Sequence, residues 1–433
     1  MGLQGALYTG VSALGATGEA MNVIGNNLAN SNTTAFKASR TLFSDLLASD
    51  VSSSSGTSQV GTGVGLASVD TVFSQGGFNP TESSTDLAIE GEGFFKVSDP
   101  NTGADAYTRA GGFNFNDEGF LVNPQGYRVQ GYDVDGDGNT VGNLKDIYTD
   151  LSGSVPAQET GRASLSTNLN ASAEVGASFD INDPAGTSNF STSINVYDSL
   201  GTSHLANVYF TKAGSNAWNY HVTADVGGTN TVLKSHQIKF TSTGYLKEVD
   251  GNSYMNEKGE IPAGQEGNNV ITVKNTGNPI NWGNGSDGHV FDVEFNLSQY
   301  AGQSELVSKQ QDGFSSGALN GIEVDQEGMV IGSYSNGESK DLAKLGLAKF
   351  ANNNGLAQVG NSLFEATNAS GLPAIGTPGA GVGTIRSNAL EQSTVDIAKQ
   401  FTDMITTQRA YQANSRTITT TDDMLQEVVN LKR

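Results

Sequence analysis

The chain has 433 residues, 55 of them glycine and none cysteine, and a net charge of −22 at pH 7. This length allows two or three domains, the absence of cysteine excludes disulfides, cysteine nucleophiles and thiolate metal sites, and the acidic balance disfavours binding to nucleic acid or to an anionic membrane. No apolar run of about 18 residues indicates a membrane span, and no basic residue precedes Lys37, so we expect no cleaved secretory signal peptide.

An amphipathic helix is predicted for the N-terminal end of the chain, because apolar side chains recur there every seven residues. The seam positions on this helix are Leu7, Leu14, Met21 and Leu28. Its glycines lower its helix propensity, and an isolated helix with an uncovered apolar stripe is marginal in water. The pattern therefore predicts a helix that needs a packing partner.

The middle of the chain is predicted to be rich in β structure. Two segments rich in glycine and other small residues, 52–65 and 370–383, predict flexible joints just inside each end. Between them, an alternating apolar run, a polar turn ending in Gly and a second apolar run form a hairpin signature. This phrase occurs as FNFNDEGFLV from Phe113, IKFTSTGYLK from Ile238 and IEVDQEGMVI from Ile322.

A second helix is predicted at the C-terminus, where apolar side chains again recur every seven residues and no proline follows Pro378. Its seam positions are Leu390, Ile397, Met404, Tyr411, Ile418 and Leu425. The second seam position of each heptad is mostly polar, as at Gln408 and Asp422. The pattern therefore favours a helix packed on several neighbours over a two-stranded coiled coil.

The charge is unevenly distributed along the chain. Residues 1–40 carry one acid and two bases, and residues 390–433 carry six acids and five bases, so the whole charge of −22 belongs to residues 41–389. Neutral ends can pack against each other or against copies of themselves, whereas the acidic body stays in water. Two interpretations are open: a plain intramolecular core made by the terminal helices, or a polymerisation interface.

These patterns predict an α+β fold, with a mainly antiparallel body of two or more β-domains between helical ends that pair with each other. We divide the chain into four parts. They are a terminal helical polymerisation domain (1–40 plus 388–433), a flexible Gly/Ser-rich connector (41–85 plus 366–387), an inner β-domain (86–150 plus 308–365) and an inserted outer β-domain (151–307).

Several motifs suggest chemistry but fail on their details. GFSSG around Ser315 matches a hydrolase nucleophile elbow, yet the last histidine is His289, so the required downstream base is missing. Asp133–Asn139 has the spacing of a calcium loop, but Leu144 stands where a bidentate Glu is needed, which favours a plain acidic turn. The four histidines lack metal-ligand spacing. We therefore expect no catalytic residue, no cofactor and no metal site.

The two ends resemble the family of bacterial flagellar axial proteins, the rod and hook subunits. The terminal signatures of this family are similar to NNLANSNTTAFKASR (26–40) and QRAYQANSRTITTTDDMLQEVVNL (408–431). The segment 85–132 looks like a β-domain of hook and distal rod proteins, and the segment 196–210 looks like an outer domain of hook proteins. The motif residues are Asn27, Asn30, Asn32, Thr33, Phe36, Gln408, Arg409, Tyr411 and Asn414. The chain departs from the family at Ala35, where Gly is usual, and at QSTVD (392–396).

The resemblance implies a non-enzymatic hook subunit that polymerises helically into a short curved tube, a universal joint between rotary rod and filament in bacterial motility. The seam residues of both helices would be the polymerisation contacts of a coiled-coil-like inner tube. At the end of the first helix we expect Asn30 to adopt the left-handed conformation, Asn32, Thr33 and Thr34 to bond free backbone groups, and Phe36 to anchor the turn.

The resemblance also implies partners and a location. These are many copies of the chain itself, the rod, the hook cap, the hook-filament junction proteins and the flagellar type III export apparatus, with the polymer outside the cell and without nucleic acid or membrane. A distal rod subunit is the near alternative, although rod proteins lack the inserted domain. A flagellin-like filament subunit and an extracellular serine hydrolase using Ser315 are the more distant ones.

Overall fold

The computed structural model describes residues 2–53, 56–136, 138–275 and 277–430. Helix α1 spans Gly2–Ala29, helix α2 spans Ile397–Asn430, and a short 3-10 helix spans Asn353–Gly355. Within the described residues, neither α-helix is long and apolar enough to cross a membrane. The remainder is mainly antiparallel β structure, which confirms the predicted α+β fold with a helix at each end.

Short strands joined by tight turns fill the chain between the helices, as its abundant Gly, Ser and Asn residues favour. Their bounds are β1 Ser39–Asp45, β2 Ser49–Ser53, β3 Gly56–Val60, β4 Val64–Thr71, β5 Phe78–Pro80, β6 Leu87–Glu90, β7 Phe94–Ser98, β8 Asp105–Thr108, β9 Asn114–Phe115, β10 Leu121–Val122, β11 Arg128–Val134, β12 Thr140–Asp146, β13 Ser154–Val155, β14 Arg162–Asn170, β15 Phe190–Tyr197, β16 Ser203–Gly214, β17 Ala217–Val226, β18 Thr229–Phe240, β19 Leu246–Val249, β20 Asn252–Ser253, β21 Val270–Val273, β22 Phe291–Tyr300, β23 Glu305–Gln311, β24 Gly317–Val324, β25 Met329–Tyr334, β26 Ser339–Leu345, β27 Leu347–Lys349, β28 Ala357–Gly360, β29 Leu363–Glu365, β30 Ala374–Gly376, β31 Thr384–Ser387 and β32 Ala389–Glu391.

The three repeated sequence phrases form neighbouring strands, as predicted. They give the pairs β9 with β10, β18 with β19 and β24 with β25. The glycine that closes each polar turn, at 119, 244 and 328, has a positive φ, between 76° and 91°. Because a side chain makes that backbone region costly, the Gly is what allows the chain to reverse there.

The chain divides into two compact units. The first comprises the described residues of Met1–Leu151, Gly321–Ser333 and Ser339–Arg433, and the second comprises those of Ser152–Asn320 and Tyr334–Glu338. The second unit is therefore inserted into the sequence of the first. The finer division into four parts stays a prediction.

In the first unit the returning chain runs beside the outgoing chain. β31 pairs with β6, and β32 pairs with β5, both antiparallel. The main sheet of this unit contains the strand order β25-β26-β11-β7-β8-β29-β28, and its core includes the fully buried Phe95 and Phe113, whose rings meet edge to face at 5.0 Å. The two strand pairs bring the segment before α2 alongside residues 78–90.

Two antiparallel strand pairs follow α1, β1 with β4 and β2 with β3. The first pair reaches α1, because the Val64 backbone N–H donates a hydrogen bond of 3.3 Å to Ser12 Oγ. In the second connector, β30 pairs with β27. Both connectors thus contain regular structure, while their flexibility stays a prediction.

The second unit is built from two sheets. One has six antiparallel strands in the order β15-β16-β17-β18-β19-β20, and the other has the order β21-β22-β14-β23, in which β14 and β22 are parallel. Inward-facing side chains of both sheets share one core. Tyr220 of β17 and Phe295 of β22, for example, are fully buried with ring centroids 5.1 Å apart.

Candidate assembly interface

The two terminal helices pack against each other in antiparallel orientation. Asn27 on α1 bonds to Gln400 near the start of α2, whereas Gly10 lies beside Ile418 farther along α2. A Cβ atom added to Gly10 would lie 2.9 Å from Ile418 Cγ1, so the missing side chain permits the close approach of the helices. The buried apolar residues of α1 are Ala16, Ala20 and Ile24, which lie outside the predicted heptad series.

The predicted seam is divided between half-buried and exposed positions. Ile397 and Tyr411 are exposed by 46% and 44%. Leu390 lies in β32, so the prediction that the helical heptad series begins at Leu390 is wrong. The helix starts at Ile397 because the preceding Asp396 caps it, its carboxylate accepting a bond of 3.1 Å from the Lys399 N–H. The half-buried seam residues are Leu7, Leu14, Met21, Leu28, Met404, Ile418 and Leu425.

A second apolar stripe on α2 lies exposed to solvent in the single chain. Ile397, Phe401 and Ile405 are 46%, 49% and 50% exposed, and their spacing of four residues places them on one side of the helix. We call these three residues the outer stripe. On α1, Tyr8 and Val11 are likewise exposed, by 74% and 56%. Large apolar side chains grouped on an exposed face mark an interaction surface.

The C-terminal motif lies largely on the exposed side of α2. Gln408, Arg409 and Tyr411 are exposed, whereas Asn414 is half-buried. The Asn414 carbonyl oxygen would lie 3.7 Å from a Cβ atom at Gly10, which places it at the contact with α1. The structure therefore brings one of these four residues to the helix pair and leaves three facing outward.

Asn27 joins three segments at the end of α1. It is 1% exposed. Its amide donates to the Ser39 carbonyl oxygen at 2.7 Å and to Gln400 Oε1 at 3.3 Å, and its Oδ1 accepts from the Ser39 N–H at 2.9 Å. A buried amide with its bonds satisfied fixes the geometry of its partners. Asn27 thus holds β1 and α2 in place at the end of α1.

The turn after α1 is left-handed at Ala35, with φ of 56°, and the prediction of a left-handed Asn30 is wrong. Instead Asn30 bonds back to the helix, its Nδ2 donating to the Asn26 carbonyl oxygen at 2.9 Å, and Thr33 Oγ1 donates to Asn30 Oδ1 at 3.0 Å. Asn32 and Thr33 are exposed. The turn is therefore retained with Ala in place of Gly, at a cost of about 1 to 2 kcal/mol for the left-handed conformation.

The residues after this turn bond to the segment that precedes α2. The Ala35 N–H donates to the Glu391 carbonyl oxygen at 2.8 Å, and the Thr394 N–H donates to the Phe36 carbonyl oxygen at 3.1 Å. The Ala38 N–H donates to Thr394 Oγ1 at 3.0 Å. The Phe36 side chain is half-buried and lines a groove of about 530 Å³ together with Asn30 and Thr33. The two ends of the chain therefore form one bonded junction.

A buried ion cluster lies under this junction. Lys37 Nζ is 2.7 Å from Glu391 Oε1, and both side chains are fully buried. Arg109, 5% exposed in its side chain, places its Nε 3.7 Å from Glu391 Oε2. Burial lowers the pKa of Lys37, an effect that Glu391 opposes, and burial also lowers the pKa of Arg109. Sequence reasoning missed this cluster, although Lys37 is one of only three charged residues in residues 1–40.

Ser315, weighed above as a nucleophile, lies in the loop before β24. Its carbonyl oxygen accepts a hydrogen bond of 2.8 Å from Asn336 Nδ2. The described hydrogen bonds and ion contacts of the four histidine rings are with residues other than Ser315. They join His204 to Asp198, His221 to Ser235, His236 to Asp250, and His289 to Trp282 and Thr160.

The acidic turn at 133–139 is held by its own contacts. Asp133 forms an ion pair of 2.6 Å with Lys145, and Asp135 accepts a hydrogen bond of 2.8 Å from the Asn139 N–H. Asp137 lies outside the described residues. Across the part of the chain that the structure describes, no group of three or more His, Asp or Glu side chains could hold a metal ion.

Four family models match the chain. They are the Flagella basal body rod protein at 7–37, the Flagellar hook protein FlgE/F/G D1 domain at 88–191, the Flagellar basal body protein FlaE D2 domain at 168–314 and the Flagellar basal body rod FlgEFG protein C-terminal at 386–431. The terminal matches contain the helix pair and the junction, and the central ones contain β structure of both units.

Relatives match over nearly the whole chain. The flagellar hook protein FlgE of Borreliella burgdorferi is 36% identical over 99% of both chains, that of Salmonella typhimurium 35% over 98% of both, and that of Escherichia coli 34% over 99% of this chain and 100% of its own. The crystal structure of the Helicobacter pylori flagellar hook protein FlgE2 matches with a TM-score of 0.51 and 15% identity, over 72% of this chain and 100% of that one. This structural match supports the fold alone.

Proposed function

Because the chain belongs to the family of flagellar hook proteins named FlgE, we propose that its paired terminal helices are the part through which copies of this hook subunit polymerise. The relatives are matched over at least 98% of their own length, so the role of a structural hook subunit applies to the entire chain. The observation that carries the proposal is the outer stripe.

Uncovered apolar surface on both helices supports the proposal. A solvated helix normally exposes polar residues, yet α2 exposes Phe401 and Ile405 and α1 exposes Tyr8. Burying such side chains against another copy is favourable by about 1.5 to 3 kcal/mol for each one fully buried. The neutral ends add no charge repulsion between copies, whereas the acidic residues 41–389 keep the body in solvent.

Helical polymerisation explains why the stripe is uncovered in one chain. A contact between different surfaces of identical subunits extends without closing and so builds a filament or tube. The terminal helices would form its inner, coiled-coil-like tube, with the predicted β-domains (86–365) outside. Connectors 41–85 and 366–387 would let those domains shift while the inner contacts hold, as a universal joint that transmits torque requires.

Location and partners follow from the same role. The subunit would be exported through the flagellar type III apparatus and would assemble outside the cell between rod, hook cap and hook-filament junction proteins. Gold-labelled antibody against residues 180–290 tests this in electron micrographs of cells. We expect label on a short curved segment between envelope and filament. Label that appears only after the envelope is opened would support the distal rod alternative instead.

A pair of matched double variants tests the polymerisation surface. Phe401→Asp with Ile405→Asp places two charges in the outer stripe, and Thr402→Asp with Thr406→Asp places the same charges one residue along, at exposed polar positions. We expect the stripe variant to lose sedimentable polymer while the threonine variant assembles. Tryptophan fluorescence of Trp218 and Trp282 checks that the second unit stays folded. Normal assembly of the stripe variant would refute the proposal.

A catalytic role is not part of this proposal. The hydrolase alternative would need Ser315 to react with a fluorophosphonate, and we expect no labelling at Ser315. The contacts of the four histidine rings given above are with residues other than Ser315, so none of these contacts joins a histidine base to its hydroxyl. The expectation from the sequence that the chain holds no cofactor or metal stays a prediction.

A further inference from the structure

The carboxylate of Glu391 is the centre of the junction between the two ends of the chain. Its Oε1 accepts three hydrogen bonds, from Lys37 Nζ at 2.7 Å, from Gln75 Nε2 at 3.0 Å and from the Gly76 N–H at 2.8 Å. Its Oε2 faces the Arg109 guanidinium at 3.7 Å. A single carboxylate thus meets one cation from the N-terminal end and one from the β-structured part of the first unit.

The strand that carries Glu391 is held independently of the N-terminal end. Residues of β32 pair with β5, where Leu390 lies opposite Asn79. The Gln392 N–H continues the contact by donating to the Gly77 carbonyl oxygen at 2.7 Å. The C-terminal segment can therefore dock on the body with Glu391 already facing Arg109.

The N-terminal segment depends on its C-terminal partner. The Ala35 N–H, the Phe36 carbonyl oxygen and the Ala38 N–H all bond to Glu391 or Thr394. Two further bonds lead to residues 72–74, from the Val72 N–H to the Ala38 carbonyl oxygen and from Lys37 Nζ to the Ser74 carbonyl oxygen. Without the Glu391 carboxylate, Lys37 would enter a buried site that already contains Arg109, and two like charges would be buried together. An unpaired buried charge is strongly unfavourable, so that arrangement is avoided.

We propose that the two ends of the chain dock in a fixed order, with β32 first placing Glu391 against Arg109 and the segment Ala35–Lys37 then closing onto it. The dependence is directional. Removing Lys37 leaves the Glu391–Arg109 pair intact, whereas removing the Glu391 charge leaves Lys37 and Arg109 buried together without the carboxylate that both of them contact. This order concerns contacts within one chain and holds whether or not the outer stripe mediates polymerisation.

Hydrogen exchange of the full-length chain, in solution and as sedimented polymer, tests the order. In Lys37→Met we expect faster exchange in residues 27–38 and unchanged exchange in residues 386–396. In Glu391→Gln we expect both segments to exchange faster, by a factor on the order of 100, because a partner of a buried pair is lost. The control Glu118→Gln removes an exposed carboxylate that pairs with Arg128 and should change neither segment.

Two outcomes would overturn the proposal. One is equal loosening of residues 386–396 in Lys37→Met and in Glu391→Gln, and the other is full protection of residues 27–38 in Glu391→Gln. Exchange of β7, in the core of the first unit, shows whether the unit remains folded. If Glu391→Gln unfolds that unit, Lys37→Met alone still tests the proposal. The proposal then requires faster exchange in residues 27–38 of this variant while residues 386–396 stay protected.

Discussion

Replacing Gly10 by Ala tests whether the two helices are spaced by a missing side chain. The new Cβ atom would lie 2.9 Å from Ile418 Cγ1, 3.4 Å from Ile418 Cδ1 and 3.7 Å from the Asn414 carbonyl oxygen. Carbon atoms in favourable contact lie about 3.5 to 4.0 Å apart. The helices must therefore separate by about 0.6 Å or more at this point, or Ile418 must leave its rotamer.

Two opposing terms set the magnitude. Alanine favours a helix over glycine by about 1 kcal/mol, whereas forcing a methyl group into a packed contact costs about 1 to 3 kcal/mol. Gly10→Ala should therefore change helix stability by between about zero and 2 kcal/mol, in the destabilising direction. Gly15 is the matched control, because an added Cβ atom there meets nothing within 4 Å. Gly15→Ala should stabilise by about 1 kcal/mol.

The assay is thermal loss of the circular dichroism signal at 222 nm in the full-length chain, to which both helices contribute. A difference of about 1 to 3 kcal/mol between the two variants corresponds to several degrees in the midpoint of a unit of this size. Equal stabilisation by Gly10→Ala and Gly15→Ala would show that α1 and α2 do not approach as closely as the structure has them.

Three further predictions concern other contacts. Asn27→Ala should destabilise the helix end by about 1 to 3 kcal/mol in thermal unfolding, because Ser39 loses bonds to a buried amide, while Asn32→Ala, at an exposed position, should have little effect. Ala35→Gly should raise the midpoint by a few degrees at most, since it relieves the left-handed strain but makes the unfolded chain more flexible. Burial raises the pKa of Asp198, but bonds from His204, Asn284 and two backbone N–H groups outweigh it and lower the pKa to about 2. Because that folded value lies below the unfolded value of 3.8, the ionised Asp198 stabilises the fold above about pH 4, and this stabilisation is lost as pH falls toward 2. Tryptophan fluorescence should show the loss of stability in the native chain and a weaker pH dependence in Asp198→Asn.

The parts of the fold that local chemistry determines could be predicted from the sequence. The hairpins were predictable because a glycine such as Gly119 supplies a positive φ between two alternating strands. The helices were predictable because the apolar period is close to that of a helix. The parallel pair β14 and β22 could not be predicted, since its strands are far apart in sequence and only tertiary packing brings them together.

Features that depend on contacts between distant residues escaped the sequence argument. Leu390 continues the heptad by spacing, yet it lies in β32 because β5 pairs with that segment and Asp396 begins the helix later. The left-handed residue is Ala35, where its N–H reaches the Glu391 carbonyl oxygen, although Asn30 has the better intrinsic preference. In both cases a long-range backbone bond outweighs a local propensity.

The heptad spacing itself explains why one series of residues serves two neighbours. A straight α-helix turns by 3.6 residues, so a strict seven-residue repeat drifts by about 20° per heptad. From Ile397 to Leu425 the drift amounts to about 80°, so the series does not stay on one face. Ile397 and Tyr411 are exposed, whereas Met404, Ile418 and Leu425 are half-buried. Ile418 packs beside Gly10 of α1, whereas the exposed seam residues face the surface that we assign to another copy. A helix with a single partner would have no use for those exposed apolar side chains.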